Sequence, residues 1–273
     1  MLNKIGPFLG FTYNGTHSSE FNIVRVVNNN RMQNDLLPES ADITQNVEGA
    51  DGTLYYGTTY KKKEFTVNFA FDNMEEKNRK DMQAWLGDGE VHDLIFDEDE
   101  YNEDGTKELN PITYSAKVTG KATLSFIPFD KQGKTIYKGE GSIVFTCYYP
   151  FGRKKVVIEN PGDEVTITNR GVRPIYPCFD GWISAVGNNH IRISKGTHYI
   201  DILPTFKGSN SATAITINFE KFLITDGSGN ILNGDIKEGD FFPLGVASGG
   251  QKLYITAENG ASIDTITYYE LYY

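Results

Sequence analysis

The alternation of apolar and polar side chains is clearest between residues 63 and 71, where phenylalanine or valine occupies every second position from Phe65 onwards. A period of two places one set of side chains on the core face of a β-strand and the other set on the opposite face. A weaker alternation covers residues 8–27, which are interrupted by Asn14-Gly15, a pair that favours a two-residue hairpin turn. The sequence therefore predicts an opening β-hairpin followed later by a core strand.

One segment follows the helical period instead. Trp85 and Leu86 complete an apolar stripe with i, i+3, i+4 spacing, Asn73 and Glu76 fit a capping box, and Gly87 stands where a left-handed C-cap belongs. This pattern predicts a single helix that covers one face of a sheet. Further strands of this half are predicted at 91–96, 112–118, 122–127 and 141–149.

The polar stretch 28–52 separates the opening hairpin from the core strand. It is rich in asparagine, glycine and aspartate, which predicts a long irregular connection with at most one short strand. Loops of this length in compact domains commonly serve a function. We therefore expect this connection to contact a partner.

The chain changes character after residues 143–149, a strand pattern with bulky side chains on both faces. Pro150 removes a backbone donor and Gly152 favours a turn, so we predict that the strand ends here and that Arg153 and the two following lysines lie in solvent. The predicted domains are residues 1–152 and 153–273.

The second half has the strand spacing that is typical of a β-sandwich, with short apolar runs separated by turns and no helical pattern. The fold class is therefore mainly β: an α+β N-terminal domain with one helix packed on β-sheets, and a C-terminal β-sandwich. Its predicted strands are 155–159, 164–168, 175–181, 190–194, 197–202, 212–219, 222–225, 253–257 and 263–271.

Charge and composition exclude several classes of partner. The 273 residues include 26 basic and 36 acidic side chains, a net charge of −10, which opposes binding to nucleic acid or anionic membranes. No segment approaches the roughly 20 apolar residues of a membrane span, and the first residues lack a signal-peptide run. We expect no specific nucleic acid, no membrane insertion and no export by a cleaved signal. Cys147 and Cys178 are interpreted as reduced core residues.

One acidic stretch partly matches the sequence pattern of a calcium-binding EF-hand loop. Asp97, Asp99 and Glu108 fall at positions 1, 3 and 12 of an EF-hand, but Tyr101 occupies a ligand position and Asn102 replaces the glycine of the sharp turn. A solvated acidic hairpin tip is the interpretation we favour. It predicts no metal at this stretch.

No residue pattern indicates catalysis or a cofactor. His190 and His198 lie on neighbouring predicted strands without a third metal ligand, and no Gly-x-Ser-x-Gly elbow is present. Trp182, Tyr199 and Tyr254 could stack on sugar rings, although the apolar run around Trp182 favours a core position. We predict no enzyme, no cofactor and no metal site.

Several blocks of sequence follow one another along the chain: FTYNGTHSSEF (11–21), GADGTLYYG (49–57) with the strand 64–71, the helix to Trp85-Leu86, LIFD (94–97), FTCYYPF (145–151), IENPG (158–162) and RPIYP (173–177). In this order they resemble the siphophage distal tail proteins. The resemblance covers most of the chain.

This resemblance implies a structural virion protein, made in the host cytoplasm, that forms a ring at the tip of a long non-contractile phage tail. The ring is usually a hexamer. The N-terminal domains build it and touch the tail tube protein and the tail-associated lysin or fibre protein. Galectin-like C-terminal domains project outwards, where receptor-binding or baseplate proteins dock. An alternative is a glycan-binding β-sandwich adhesion module, and a weaker one is a glycan hydrolase.

A closed ring joins head to tail, so each subunit must present two different surfaces. The polar connection and the acidic hairpin around residues 101–107 are the predicted points of contact with a neighbour. The domain junction is assigned to Pro150, Gly152 and Arg153. The candidate inter-subunit residues are Asn30, Arg31, Asp51, Tyr55, Tyr56, Tyr101 and Asn102.

Overall fold

The computed structural model describes residues 10–26, 37–48, 51–100, 106–184, 189–203, 212–258 and 260–273. The chain divides into two compact units. Unit 1 runs up to Arg153 and includes Tyr273, and unit 2 is Lys154–Tyr272. Antiparallel β-sheets dominate both units, so the prediction of a mainly β fold is confirmed. No helix in the described ranges is long and apolar enough to span a membrane.

Unit 1 is built on one antiparallel sheet of seven strands, in the order β2-β1-β7-β8-β9-β6-β3. Two further strands, β4 and β5, pair with each other in a separate sheet. The helices are α1 (Glu76–Leu86), α2 (Asp97–Glu100) and a 3₁₀ turn at Ser18–Phe21. The strands are β1 (Phe11–Tyr13), β2 (Thr16–His17), β3 (Val24–Arg25), β4 (Ser40–Asn46), β5 (Thr53–Tyr60), β6 (Lys63–Glu75), β7 (His92–Phe96), β8 (Tyr114–Lys131) and β9 (Lys134–Cys147).

The apolar face of β6 forms the centre of the unit 1 core. Phe65, Val67, Phe69 and Phe71 are all buried, as the alternation predicts. Helix α1 covers this core through Trp85, whose indole Nε1 donates to the carbonyl of Tyr13 at 2.8 Å. The opening hairpin also forms, with Asn14 and Gly15 both at positive φ in the turn between β1 and β2.

Both predicted caps of α1 are wrong. The residue before the helix is Glu75, and its side chain makes no capping hydrogen bond. Asn73 instead lies in β6 and accepts a hydrogen bond from the Lys131 ammonium at 3.0 Å. Gly87 has φ −103°, outside the left-handed region. Strand β6 continues to the first turn of the helix, and its pairing with β9 displaces the predicted cap.

Two parts of unit 1 differ from the strand prediction. The two strands predicted at 112–118 and 122–127 form one long strand, β8, which begins at Tyr114 and passes a register shift between Thr119 and Thr123 with Gly120 at φ +69°. The predicted irregular connection contains β4, whose seven residues pair with β5. The connection thus contains the one strand that the prediction allowed. The alternation rule missed β5, because most of its side chains face solvent.

Unit 2 is a β-sandwich of two five-stranded antiparallel sheets, β10-β19-β12-β15-β16 and β11-β18-β13-β14-β17. Its core contains Phe179, Phe219 and isoleucines from both sheets. The only helical turn among its described residues is a 3₁₀ turn at Asn233–Asp235. The strands are β10 (Gly152–Glu159), β11 (Glu164–Asn169), β12 (Cys178–Ile183), β13 (His190–Lys195), β14 (His198–Ile202), β15 (Thr213–Asn218), β16 (Leu223–Asp226), β17 (Ile236–Gly239), β18 (Ala247–Glu258) and β19 (Ala261–Tyr272).

The two cysteines are free thiols, as predicted. Cys147 is buried in the unit 1 core, and burial raises its pKa to about 12. Cys178 is half-buried, so the prediction of a core position is wrong for this residue. Burial raises its pKa to about 11, which keeps the thiol protonated at neutral pH.

Candidate assembly surfaces

The hairpin formed by β4 and β5, here called the β4–β5 arm, is the most exposed element of unit 1. Every residue of β4 and half or more of those in β5 face solvent. Tyr55 and Tyr56 are 62% and 60% exposed. Two-stranded hairpins are at best marginally stable in water. Contact with another surface would therefore increase the stability of the arm.

Hydrogen bonds hold the two tyrosines on opposite faces of the arm. The Tyr55 hydroxyl is 2.6 Å from the Thr58 hydroxyl, which donates to Asp42 at 2.8 Å. The Tyr56 hydroxyl donates to Gln45 at 2.9 Å. Asp42 and Gln45 are three residues apart on β4, so their side chains point to opposite faces. The arm thus presents a positioned aromatic ring on each side.

The hairpin of β8 and β9 is the second exposed element. Strand β7 pairs with β8 only as far as Ala116, and beyond it no described strand pairs with that edge of β8. Ile127 is 74% exposed, and Phe129, which follows it on the same face of β8, is also exposed. Large exposed apolar groups that lie together mark interaction sites. The hairpin turn lies at Gln132 and Gly133, both at positive φ.

The structure brings together three of the predicted inter-subunit residues. Asp51, Tyr55 and Tyr56 all belong to the β4–β5 arm and are exposed. Asn30, Arg31, Tyr101 and Asn102 lie outside the described residues. Sequence reasoning missed the β8–β9 hairpin as a candidate surface. The available signal was the apolar run at 126–129 beside the Gln132-Gly133 turn.

The prediction of a solvated acidic tip is wrong for residues 97–100. Asp97 is buried, where it accepts a hydrogen bond from the Gly10 amide at 2.6 Å and lies 3.0 Å from His17 Nε2. Glu100 is also buried and pairs with Lys107 at 2.5 Å. Asp97 thus joins the start of the short helix to Gly10 and to His17 of β2, and Glu100 joins its end to Lys107. In the described part of the chain, no group of His, Cys, Asp or Glu side chains could hold a metal.

Asp99 provides a pH-dependent stability prediction. Burial and then the neighbouring Glu98 raise its pKa to about 6, against the opposing effect of Arg25 and Lys63. A carboxyl whose folded pKa exceeds its unfolded value of about 3.9 stabilises the fold at low pH and loses that contribution as pH rises through the folded pKa. The stability of wild-type unit 1 should therefore decline between pH 4 and 6.

Asp99→Asn should remove this decline, making unit 1 about 2 kcal/mol more stable than wild type at pH 7.5 and equal to it near pH 4. Urea unfolding at both pH values measures the difference. Asp93→Asn, at an exposed site on the preceding strand, is the control, and it should change stability by less than about 0.5 kcal/mol. Equal stabilisation by Asp99→Asn at both pH values would contradict the prediction.

The predicted junction residues lie in close contact with unit 1. Pro150 is buried, and the Phe151 ring packs against Tyr60 and Tyr273 at centroid distances of 5.4 and 5.6 Å. These contacts fix the base of the β4–β5 arm, because Tyr60 is the last residue of β5. The aromatic contacts explain why Tyr273 belongs to unit 1.

Gly152 does not form the predicted turn. It begins β10, and a Cβ there would lie 2.5 Å from Ile112 Cγ2 and 2.7 Å from the Tyr114 ring. The position needs glycine because the chain passes close to these side chains. Arg153 exchanges two backbone hydrogen bonds with Thr113, at 2.9 and 3.0 Å, while its side chain is exposed as predicted.

Trp182 and His190 of unit 2 both lie in surroundings that the sequence pattern does not indicate. Trp182 is 50% exposed between its cross-strand neighbours Ala214 and Ser262, so the core prediction is wrong. His190 does not pair with His198; it hydrogen-bonds Asp201, a buried carboxylate on β14. The apolar run around Trp182 misled the prediction, since the strand period places its side chain opposite the buried Phe179 and Ile183.

Most of unit 1, which carries both exposed hairpins, is similar to a known protein family. Residues 8–127 match a family model described as the phage tail protein N-terminal domain. The fold matches the crystal structure of the SPP1 Dit protein, described as a paradigm of the hub adsorption apparatus in phages that infect Gram-positive bacteria. The resemblance to distal tail proteins is confirmed.

The match to SPP1 Dit covers 97% of this chain and 99% of that chain, with a TM-score of 0.64 and 13% sequence identity. It therefore includes both units. The phage P2 baseplate in its activated conformation with calcium matches at a TM-score of 0.44 and 8% identity, covering 96% and 97% of the two chains, which is a much weaker similarity. No curated protein matches the sequence.

Proposed function

We propose that this protein is a structural component of a siphophage tail, a distal tail hub that assembles as a closed ring, with six copies as in the resembling family. The match of residues 8–127 to the phage tail protein N-terminal domain carries the proposal. The fold similarity to SPP1 Dit over both units and the exposed β4–β5 arm support it. The role is structural and not enzymatic.

In the proposed hub, the two domains have different roles. The domain up to the junction at Pro150, Gly152 and Arg153 builds the ring and contacts the tail tube protein and the tail-associated lysin or fibre protein. The galectin-like sandwich docks receptor-binding or baseplate proteins. The protein is then located in the virion at the tail tip and takes part in host attachment.

Molar mass in solution tests the ring. Light scattering on the purified chain should give about six times 30.5 kDa, because a closed cyclic assembly satisfies every interface. Tyr55→Ser with Tyr56→Ser should shift the mass towards the monomer, since aromatic anchors commonly contribute at least ~2 kcal/mol each at an interface.

Tyr254→Ser with Tyr269→Ser is the matched control, because it removes two exposed tyrosines from unit 2. This control should keep the wild-type mass. A wild-type chain that stays monomeric at all concentrations would exclude the ring. Circular dichroism of each variant checks that the fold is kept.

One observation favours the glycan-binding adhesion module as the second candidate. Trp182 and Tyr254 expose their rings on unit 2, and exposed aromatic faces can stack on sugars. A monomer that binds cell-wall saccharide and loses binding on Trp182→Ala would support this candidate over the hub.

A further inference from the structure

The two exposed hairpins of unit 1 carry opposite charge. Residues 40–60 contain three acidic residues, Asp42, Glu48 and Asp51, and no lysine or arginine, so their net charge is −3. Residues 114–147 contain five lysines against Asp130 and Glu140, a net charge of +3. The β8–β9 hairpin is thus a basic segment in a chain whose total charge is −10.

Three of the lysines share one face of the β8–β9 hairpin. Lys131 pairs across the strands with Lys134, and Ile127 pairs with Lys138. The strand period places Lys131, Phe129 and Ile127 on the same side of β8. We call this surface the lysine face. It surrounds exposed apolar side chains with positive charge.

The lysine face is only partly neutralised within the chain. The Lys134 ammonium lies 3.4 Å from Glu75, and Lys131 donates to the neutral amide oxygen of Asn73 at 3.0 Å. Lys138 has no ion pair among the described residues. Part of the positive charge of the lysine face is therefore available to pair with an acidic surface.

The β4–β5 arm has the complementary properties. It is acidic and almost fully exposed, with a tyrosine on each face. The arm and the lysine face belong to different sheets of one unit. Two unlike complementary surfaces on one subunit are what a head-to-tail ring requires. Opposite charge would also fix the orientation of approach, since like-charge contacts are disfavoured.

We propose that the β4–β5 arm of one copy lies against the lysine face of the next copy. This inference rests on the proposed ring and specifies its interface. The contact covers the tyrosine on one face of the arm together with Ile127, and it sets the acidic residues of the arm beside the lysines. Screening should weaken it, so wild-type assembly should be tighter in 50 mM than in 500 mM salt.

A charge exchange tests the contact. Variant A carries Lys131→Glu and Lys138→Glu, which change the hairpin from +3 to −1. Variant B carries Glu48→Lys and Asp51→Lys, which change the arm from −3 to +1. In each variant alone, the arm and the hairpin then carry charges of the same sign. We therefore expect the dissociation constant for assembly to rise at least about tenfold in low salt.

Mixing A with B should restore assembly to within about threefold of wild type, because each interface in an alternating ring again joins opposite charges. The control is Lys221→Glu with Lys237→Glu on unit 2, which matches the charge change of A at two exposed sites and should assemble normally. Sedimentation velocity at 50 mM salt measures all five samples.

The results distinguish an error in the proposed interface from an error in the proposed ring. If wild type assembles and neither A nor B is impaired, or if the mixture stays dissociated, this interface is wrong while the ring stands. If wild type never assembles, the ring itself is wrong. Restoration in the mixture alone, with A and B each impaired, supports the proposed contact.

Discussion

Replacing Trp85 by alanine should lower the free energy of unfolding of unit 1 by about 4 kcal/mol, in the range of buried tryptophan deletions. Trp85 joins α1 to the sheet, where it stacks on Phe21 at 4.8 Å and on Phe11 at 5.7 Å. Its loss leaves a cavity under the helix. It also removes the 2.8 Å hydrogen bond to the Tyr13 carbonyl.

The two tryptophans of the chain make this prediction easy to measure. In Trp85→Ala, Trp182 reports unit 2 and circular dichroism reports both units. Urea should unfold unit 1 earlier and leave the Trp182 transition unchanged. The control is Trp182→Ala, which should cost less than about 1 kcal/mol because this side chain is half exposed. Equal losses from the two substitutions would contradict the packing of Trp85.

Replacing Gly181 by valine should destabilise unit 2 by at least about 3 kcal/mol. Gly181 lies in β12, the central strand of its sheet, paired with Ile263 and Ile215 on either side. A Cβ there would lie 1.9 Å from the Ser262 carbonyl oxygen and 2.9 Å from Ile263 Cα. Both are backbone atoms, so relief requires movement of β19 and loss of its pairing.

Trp182 adjoins the substituted position, so its fluorescence follows the loss of unit 2, while Trp85 follows unit 1. The transition of unit 1 should stay in place. The matched control is Gly249→Ala on β18, where a Cβ would meet no atom within 4 Å and φ is not positive. A Gly181→Val protein that unfolds with the wild-type midpoint would show that β19 does not pack as described.

The parts of the fold that local rules specify were predictable. The β6 core strand follows from its alternation, and the Asn14-Gly15 turn follows from residues that tolerate positive φ. The helix was predicted from its apolar stripe, although its caps were not. A cap depends on one or two hydrogen bonds, and the pairing of β6 with β9 replaced them.

The candidate surface was predictable only in part. Tyr55, Tyr56 and Asp51 were chosen from the sequence, and the structure places them on one exposed arm. The lysine face was missed because its residues come from two strands, at positions 127–138, which share a face only after the hairpin pairs. Asp97 was misjudged for a similar reason, since its partner Gly10 is 87 residues away.

The mainly β class, the helix, the Asn14-Gly15 hairpin turn and the resemblance to distal tail proteins all follow from the amino-acid sequence alone. Each of these depends on side-chain periodicity or on short motifs that act within a few residues. The burial of Asp97 and the exposure of Trp182, by contrast, become visible only in the folded structure. Burial depends on strands and segments that are distant in the chain, and no local pattern encodes their arrangement.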